Sequence, residues 1–77
     1  MVKAVVLVQL VAGEEKQALS RISKLKGVKS VDGVFGSWDA IVEVESESIE
    51  ELAKFVCSKI RKIEGVANTE TLIKVSL

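Results

Sequence analysis

The 77 residues predict a single α+β domain with a βαββαβ order of elements. Three observations carry this reading. Segments of strand and helix character alternate in that order. The second half echoes the first: Lys24-Leu25-Lys26-Gly27-Val28 matches Lys62-Ile63-Glu64-Gly65-Val66 at a shift of 38 residues, and the same shift lays the first strand over the third. The length allows one domain only. Two tandem βαβ units with right-handed crossovers put both helices on one face of a four-stranded antiparallel sheet, the ferredoxin-like arrangement.

The elements follow in order. Val2 to Val11 is almost wholly apolar and β-branched and reads as a strand that Ala12-Gly13 breaks. Glu14 and Glu15 open a helix, acids at the positive end of its dipole. Ala18, Leu19, Ile22 and Leu25 recur at helical spacing. Lys24 and Lys26 fall in its last turn, and Gly27 is the expected stop. Val28 to Phe35 reads as a second strand with a bulge at Asp32-Gly33. After the Gly36-Ser37 turn, Trp38 to Glu45 alternates as a third strand. Ser48-Ile49-Glu50-Glu51 fits a capping box. The second helix carries Ile49, Leu52, Ala53, Val56, Ile60 and Ile63 on one face and ends at Gly65. Val66 to Leu77 is expected as the last strand.

Helices on one side leave the other sheet face bare. Along the first strand Val2, Ala4, Val6, Val8 and Leu10 point one way, while Lys3, Val5, Leu7, Gln9 and Val11 point the other. Both sets are apolar in the middle, whereas a sheet with one wet face alternates apolar and polar. In the fourth strand, Thr71, Ile73 and Val75 share one side and Leu72 takes the other. An apolar sheet face predicts burial against a partner, so a homo-oligomer of at least two chains is expected. The size points the same way. A chain this short has a marginal core and usually adds disulfides, metals or partners. Cys57 is the only cysteine and there is no His, so neither an internal disulfide nor a zinc cluster is available.

Composition excludes several function classes. Eleven bases balance eleven acids, which disfavours nucleic-acid binding by bulk charge. No apolar run approaches membrane-spanning length, and the N-terminus lacks a signal-peptide layout. The expected setting is the cytoplasm. Lys and Glu supply nine residues each, against two each of Arg and Asp, with no Pro, a bias that leans towards a thermophile. Without His the common general base is missing. Cys57, one position round from the stripe at Val56 and Ile60, reads as a buried structural thiol. No GxGxxG or Walker sequence occurs. Phe35 and Trp38 flank one turn and read as a hydrophobic anchor, not a base-stacking platform. The chain is not expected to be an enzyme, and no cofactor is expected.

Two polar segments stand out: Gly36-Ser37-Trp38-Asp39 between the second and third strands, and Asn68-Thr69-Glu70-Thr71 in the last. Exposed turn amides, one aspartate and two hydroxyls have the donors and acceptors to hold an amino acid's ammonium and carboxylate. The same residues also read as a plain hairpin and plain β formers.

These segments carry a family resemblance over essentially the whole chain. Val34-Phe35-Gly36-Ser37-Trp38-Asp39-Ala40 resembles the V-x-G-x-(Y/W/F)-D segment of the Lrp/AsnC effector module, or RAM domain. Ile63-Glu64-Gly65-Val66-Ala67-Asn68-Thr69-Glu70-Thr71 resembles that module's L-x-G-V-x-x-T-x-T segment. The family often has Thr or Ser before its first motif Gly, where this chain has Phe35. The resemblance implies a dimeric α+β barrel paired through its sheets, dimers assembled into rings, and a free amino acid bound between dimers near Gly36, Ser37, Trp38, Asp39, Thr69 and Thr71. In the family the module follows a helix-turn-helix domain; here Met1 runs straight into the first strand. A stand-alone effector module without direct DNA binding is therefore expected. It would sense amino acids and act on transcription or amino-acid metabolism indirectly. The alternative is a structural protein co-assembling with full-length Lrp/AsnC regulators. Asp39→Ala is expected to weaken ligand binding and leave the fold intact.

Overall fold

A computed structural model describes residues 1–77. The order is β1 (Val2–Leu10), α1 (Glu15–Ser23), β2 (Val28–Gly33), β3 (Ala40–Ser46), α2 (Ile49–Phe55) and β4 (Val66–Ile73). A π-helical turn, Val56–Ile60, continues α2. The sheet order is β2-β3-β1-β4, with every neighbouring pair antiparallel. This is the expected ferredoxin-like fold. No helix is long and apolar enough to cross a membrane.

The core lies between the sheet and both helices. Ala4, Val6, Val8 and Leu10 of β1 and Ala40, Val42 and Val44 of β3 are buried on one face. They pack against Ala18 and Ile22 of α1 and Leu52, Val56 and Ile60 of the second helix. The period-2 and helical stripes read from the sequence therefore meet in one cluster, which is how a chain of this length obtains a single core.

The internal repeat extends to the hydrogen bonds. After α1, Leu25 N–H donates to Ile22 O (3.1 Å) and Val28 N–H to Leu25 O (3.2 Å). After the second helix, Ile63 N–H donates to Ile60 O (3.2 Å) and Val66 N–H to Ile63 O (3.1 Å). Each exit turns on a glycine of positive φ, +104° at Gly27 and +101° at Gly65. The capping serine is also in place, with Ser48 Oγ accepting from Glu51 N–H at 3.1 Å.

Several boundaries differ from expectation. α1 ends at Ser23, before Lys24 and Lys26, because the two tight turns of the exit begin there. β2 stops at Gly33 and β3 starts at Ala40, so Val34–Asp39 is a loop, closed by Val34 N–H donating to Asp39 O at 2.9 Å. The bulge in β2 falls between Val28 and Ser30; Asp32 and Gly33 pair in register with Ile41 and Ala40. β4 ends at Ile73, and Lys74 N–H adds one further bond to β1 at Lys3 O (2.9 Å).

The face of α2 is narrower than its spacing implies. Ala53 is exposed and Ile49 is 58% exposed, since both lie at the edge of the sheet. Cys57 is exposed, contrary to the buried thiol expected. It stands beside Val56 on the side of the helix that faces an open groove, outside the stripe of Val56 and Ile60. In the same stretch Arg61 N–H donates to Val56 O at 2.9 Å, a five-residue π closure.

Candidate functional site

The Gly36–Asp39 turn sits at the end of β1. Asp39 N–H donates to Val8 O at 2.8 Å, and Asp39 Oδ2 accepts from Leu10 N–H at 2.8 Å. The reason lies in the register. Pairing of β1 with β3 ends at Val8 and Ala40, and pairing with β4 shifts between Gln9 and Leu10. Leu10 N–H therefore has no strand carbonyl to meet, and the aspartate supplies the acceptor. Gln9 bridges onward: its Nε2 donates to Ser37 O and its Oε1 accepts from Asn68 Nδ2, both at 2.9 Å. Trp38 is half-buried, while Phe35 at the loop tip is fully exposed. Gly36, at φ +132°, has open space around it.

Thr69 and Thr71 lie elsewhere. They pair with Val8 and Val6 across β1, so their side chains share the helix face. With Ile49, Leu52, Ala53, Val56, Cys57, Arg61 and Ile73 they line a groove of about 320 Å³ between α2 and β4. β3 and β4 flank β1 on opposite sides, two strand spacings or about 10 Å apart. Within one protomer the two candidate segments therefore do not meet in one cavity. Asp39 and Ser37 belong to the hydrogen-bonded strand ends, and Thr69 and Thr71 to the groove.

Nothing in the sequence singles out Arg61 beyond its position near the end of the second helix. In the structure it forms no ion pair and is the one charged side chain lining the groove. Only the helix register of the π turn puts it there.

The open sheet face carries the apolar centre expected of it. Leu7 lies opposite Ile41, and Val5 opposite Leu72. Charged residues stand beside them, Glu43 opposite Val5 and Glu70 opposite Leu7. Lys74 Nζ reaches Glu43 Oε1 at 3.2 Å, and Ser30 Oγ donates to Glu43 Oε2 at 3.2 Å. The Lys74 bond and its charge, with the Ser30 bond, hold the Glu43 carboxyl below its usual pKa.

Comparison with known proteins follows the same outline. A family model described as the Lrp/AsnC ligand binding domain matches residues 3–76. An uncharacterized HTH-type transcriptional regulator of Pyrococcus furiosus is 37% identical over 59 residues, 77% of this chain and 39% of its own length. The chain thus spans well under half of that relative. TTHA0845 from Thermus thermophilus superposes with a TM-score of 0.92 at 31% identity, covering 100% of this chain and 96% of that one. E. coli AsnC superposes with a TM-score of 0.91 at 26% identity, covering 99% of this chain and 52% of AsnC.

Proposed function

This chain belongs to the Lrp/AsnC ligand-binding domain family, and we propose on that basis that it is an amino-acid-sensing and oligomerisation module acting indirectly on transcription or amino-acid metabolism. The observation that carries the reading is the family match over residues 3–76, with the motif threonines Thr69 and Thr71 lining a groove. The relatives are transcriptional regulators, which supports a regulatory role over a catalytic one.

Assembly is part of the proposal. The Val5, Leu7, Ile41 and Leu72 centre is the surface that would pair two sheets into the α+β barrel. Asp39 and the threonines do not share a cavity within a protomer, which supports a ligand that meets them between copies. It would then favour the assembled state, since a ligand touching two subunits binds the assembly more tightly than its parts.

A thermal-shift screen of the twenty amino acids, followed by calorimetry on any hit, tests this reading. The expected result is binding at or below millimolar concentration by at least one amino acid, with light scattering showing a change of assembly. If no amino acid binds at millimolar concentration, the sensing role falls. Co-assembly with longer HTH-type regulators then becomes the better reading, through the same sheet surface. Asp39→Ala is a poor probe here, because it also strips Leu10 N–H of its acceptor, a loss of about 1–3 kcal/mol of stability. Asp39→Asn keeps an oxygen for that bond and removes only the charge.

A further inference from the structure

The groove between α2 and β4 has its own chemistry, distinct from the Asp39 turn. Its walls are apolar: Leu52 and Val56 form its inner side, 2% and 5% exposed, with Ile49 and Ile73 at the mouth. Its polar groups are two hydroxyls, one thiol and one guanidinium. No acid lines it. Thr69 and Thr71, two residues apart on β4, lie on the same face of the sheet and line the groove together with Arg61.

We propose that this groove binds a small aliphatic carboxylate, with Arg61 as the anchor for its two oxygens. That an effector binds at all rests on the reading above; Arg61 as the anchor, and recognition of the carboxylate without the ammonium, are new. A guanidinium presents paired N–H donors in a fixed plane that matches a carboxylate. Thr69 and Thr71 donate the further hydrogen bonds that a carboxylate's remaining lone pairs accept. The tail lies against Leu52 and Val56, with Ile49 and Ile73 at the open mouth. The volume of about 320 Å³ is at the small end of ligand sites, which fits a branched chain of a few carbons. With no acid in the lining, an ammonium gains nothing from this groove.

The π turn supports the assignment. Closure from Arg61 N–H to Val56 O brings Val56 and Arg61 onto one line of the helix. In an uninterrupted α-helix Arg61 would lie further round the helix from Val56. Such turns recur at functional sites because the lost α-helical bond is offset by a useful side-chain position.

Isovalerate, L-valine and isobutylamine separate the possibilities, with binding read by calorimetry. Isovalerate is expected to bind at least as tightly as L-valine, and isobutylamine, which keeps the tail and inverts the charge, is expected not to bind. Arg61→Gln should weaken isovalerate about tenfold or more, and Thr71→Val, of the same shape, by a smaller factor. Lys54→Gln on the same helix should leave it unchanged. Cys57 lines the groove and is exposed, so isovalerate should slow its alkylation by iodoacetamide. Arg61 is a surface residue, and an unchanged circular dichroism spectrum would establish that its variant folds. If an amino acid binds but Arg61→Gln leaves its affinity intact and Cys57 unprotected, the groove assignment is overturned and the effector reading survives. If isovalerate binds as described while no amino acid does, the groove stands and amino-acid sensing falls. If no carboxylate binds, both fail.

Discussion

Gly65 shows how much one residue can hold. Its φ of +101° is a backbone state that side chains rarely adopt, and a Cβ there would meet Ala18 Cβ at 3.1 Å, Glu14 Cβ at 3.2 Å and Glu14 O at 3.3 Å. Its carbonyl also accepts from Val11 N–H at 2.8 Å. The exit of the second helix is thereby pressed against the start of α1. Gly27 has nearly the same φ, +104°, but its nearest neighbour is the Phe55 ring at 3.8 Å. Gly27→Ala should lose about 1–2 kcal/mol, the left-handed backbone alone. Gly65→Ala should lose clearly more, and urea unfolding of both variants measures the difference. Equal losses would show that packing against α1 adds nothing. Glu43 gives a pH-dependent case. Lys74 and Ser30 hold its pKa below the usual glutamate value in the folded chain, so its contribution is present above the unfolded value and lost as pH falls through the folded one. Glu43→Gln should flatten the acid limb of a stability-versus-pH curve. The effect is small because the carboxylate is about half exposed, and superimposable curves would remove Glu43 from the account.

Among the elements, β1 carries the most. It pairs on both sides, supplies four buried residues to the core and presents Val5 and Leu7 on the open face. Those two, with Ile41 and Leu72, form an apolar patch, and Glu43 and Glu70 stand opposite Val5 and Leu7 on the same face. An interface over this patch must pair those carboxylates, as Lys74 already pairs Glu43. Leu7→Lys should dissociate the assembly, because a charge placed there loses hydration without a partner. Leu7 points away from the helices, so the protomer core itself is untouched. Light scattering and circular dichroism on the variant distinguish a folded monomer, as expected, from an unchanged oligomer, which would move the interface elsewhere.

For the molecule as a whole, assembly and charge decide what it meets. A dimer or larger species is expected at micromolar concentration, and a well-folded monomer by light scattering would remove the sheet-pairing proposal. Eleven bases and eleven acids form one ion pair within the chain, Lys74 with Glu43, so most charges face water. Lys16, Arg21 and Lys24 share the outer surface of α1 with Gln17 and Ser20. They permit weak, salt-sensitive contact with phosphates, but zero net charge and the lack of a recognition helix predict no sequence-specific duplex binding by these 77 residues. A gel-shift titration in low and physiological salt tests this; tight binding that survives the higher salt would overturn it.

Topology, core and family were all legible along the chain before it folded. Period-2 runs in β1 and β3, helical stripes at Ala18 and Ile22 and at Leu52, Val56 and Ile60, and the 38-residue echo are local signals, and burial followed them. The two motif segments were equally legible as segments. Their relation was not. Thr69 and Thr71 face the helices because the register of β4 against β1 puts them opposite Val8 and Val6, and a one-residue slip would have turned them to the open face. Asp39 became an acceptor for Leu10 N–H because β3 pairing ends one residue too early to supply a carbonyl. Arg61 took its place relative to Val56 from a π turn that no residue pattern announces, since one extra residue per turn changes which side chains share a face without changing which residue types are present. Pairing register and helix phase are decided by contacts between distant parts of the chain, so they exist only once those parts have met.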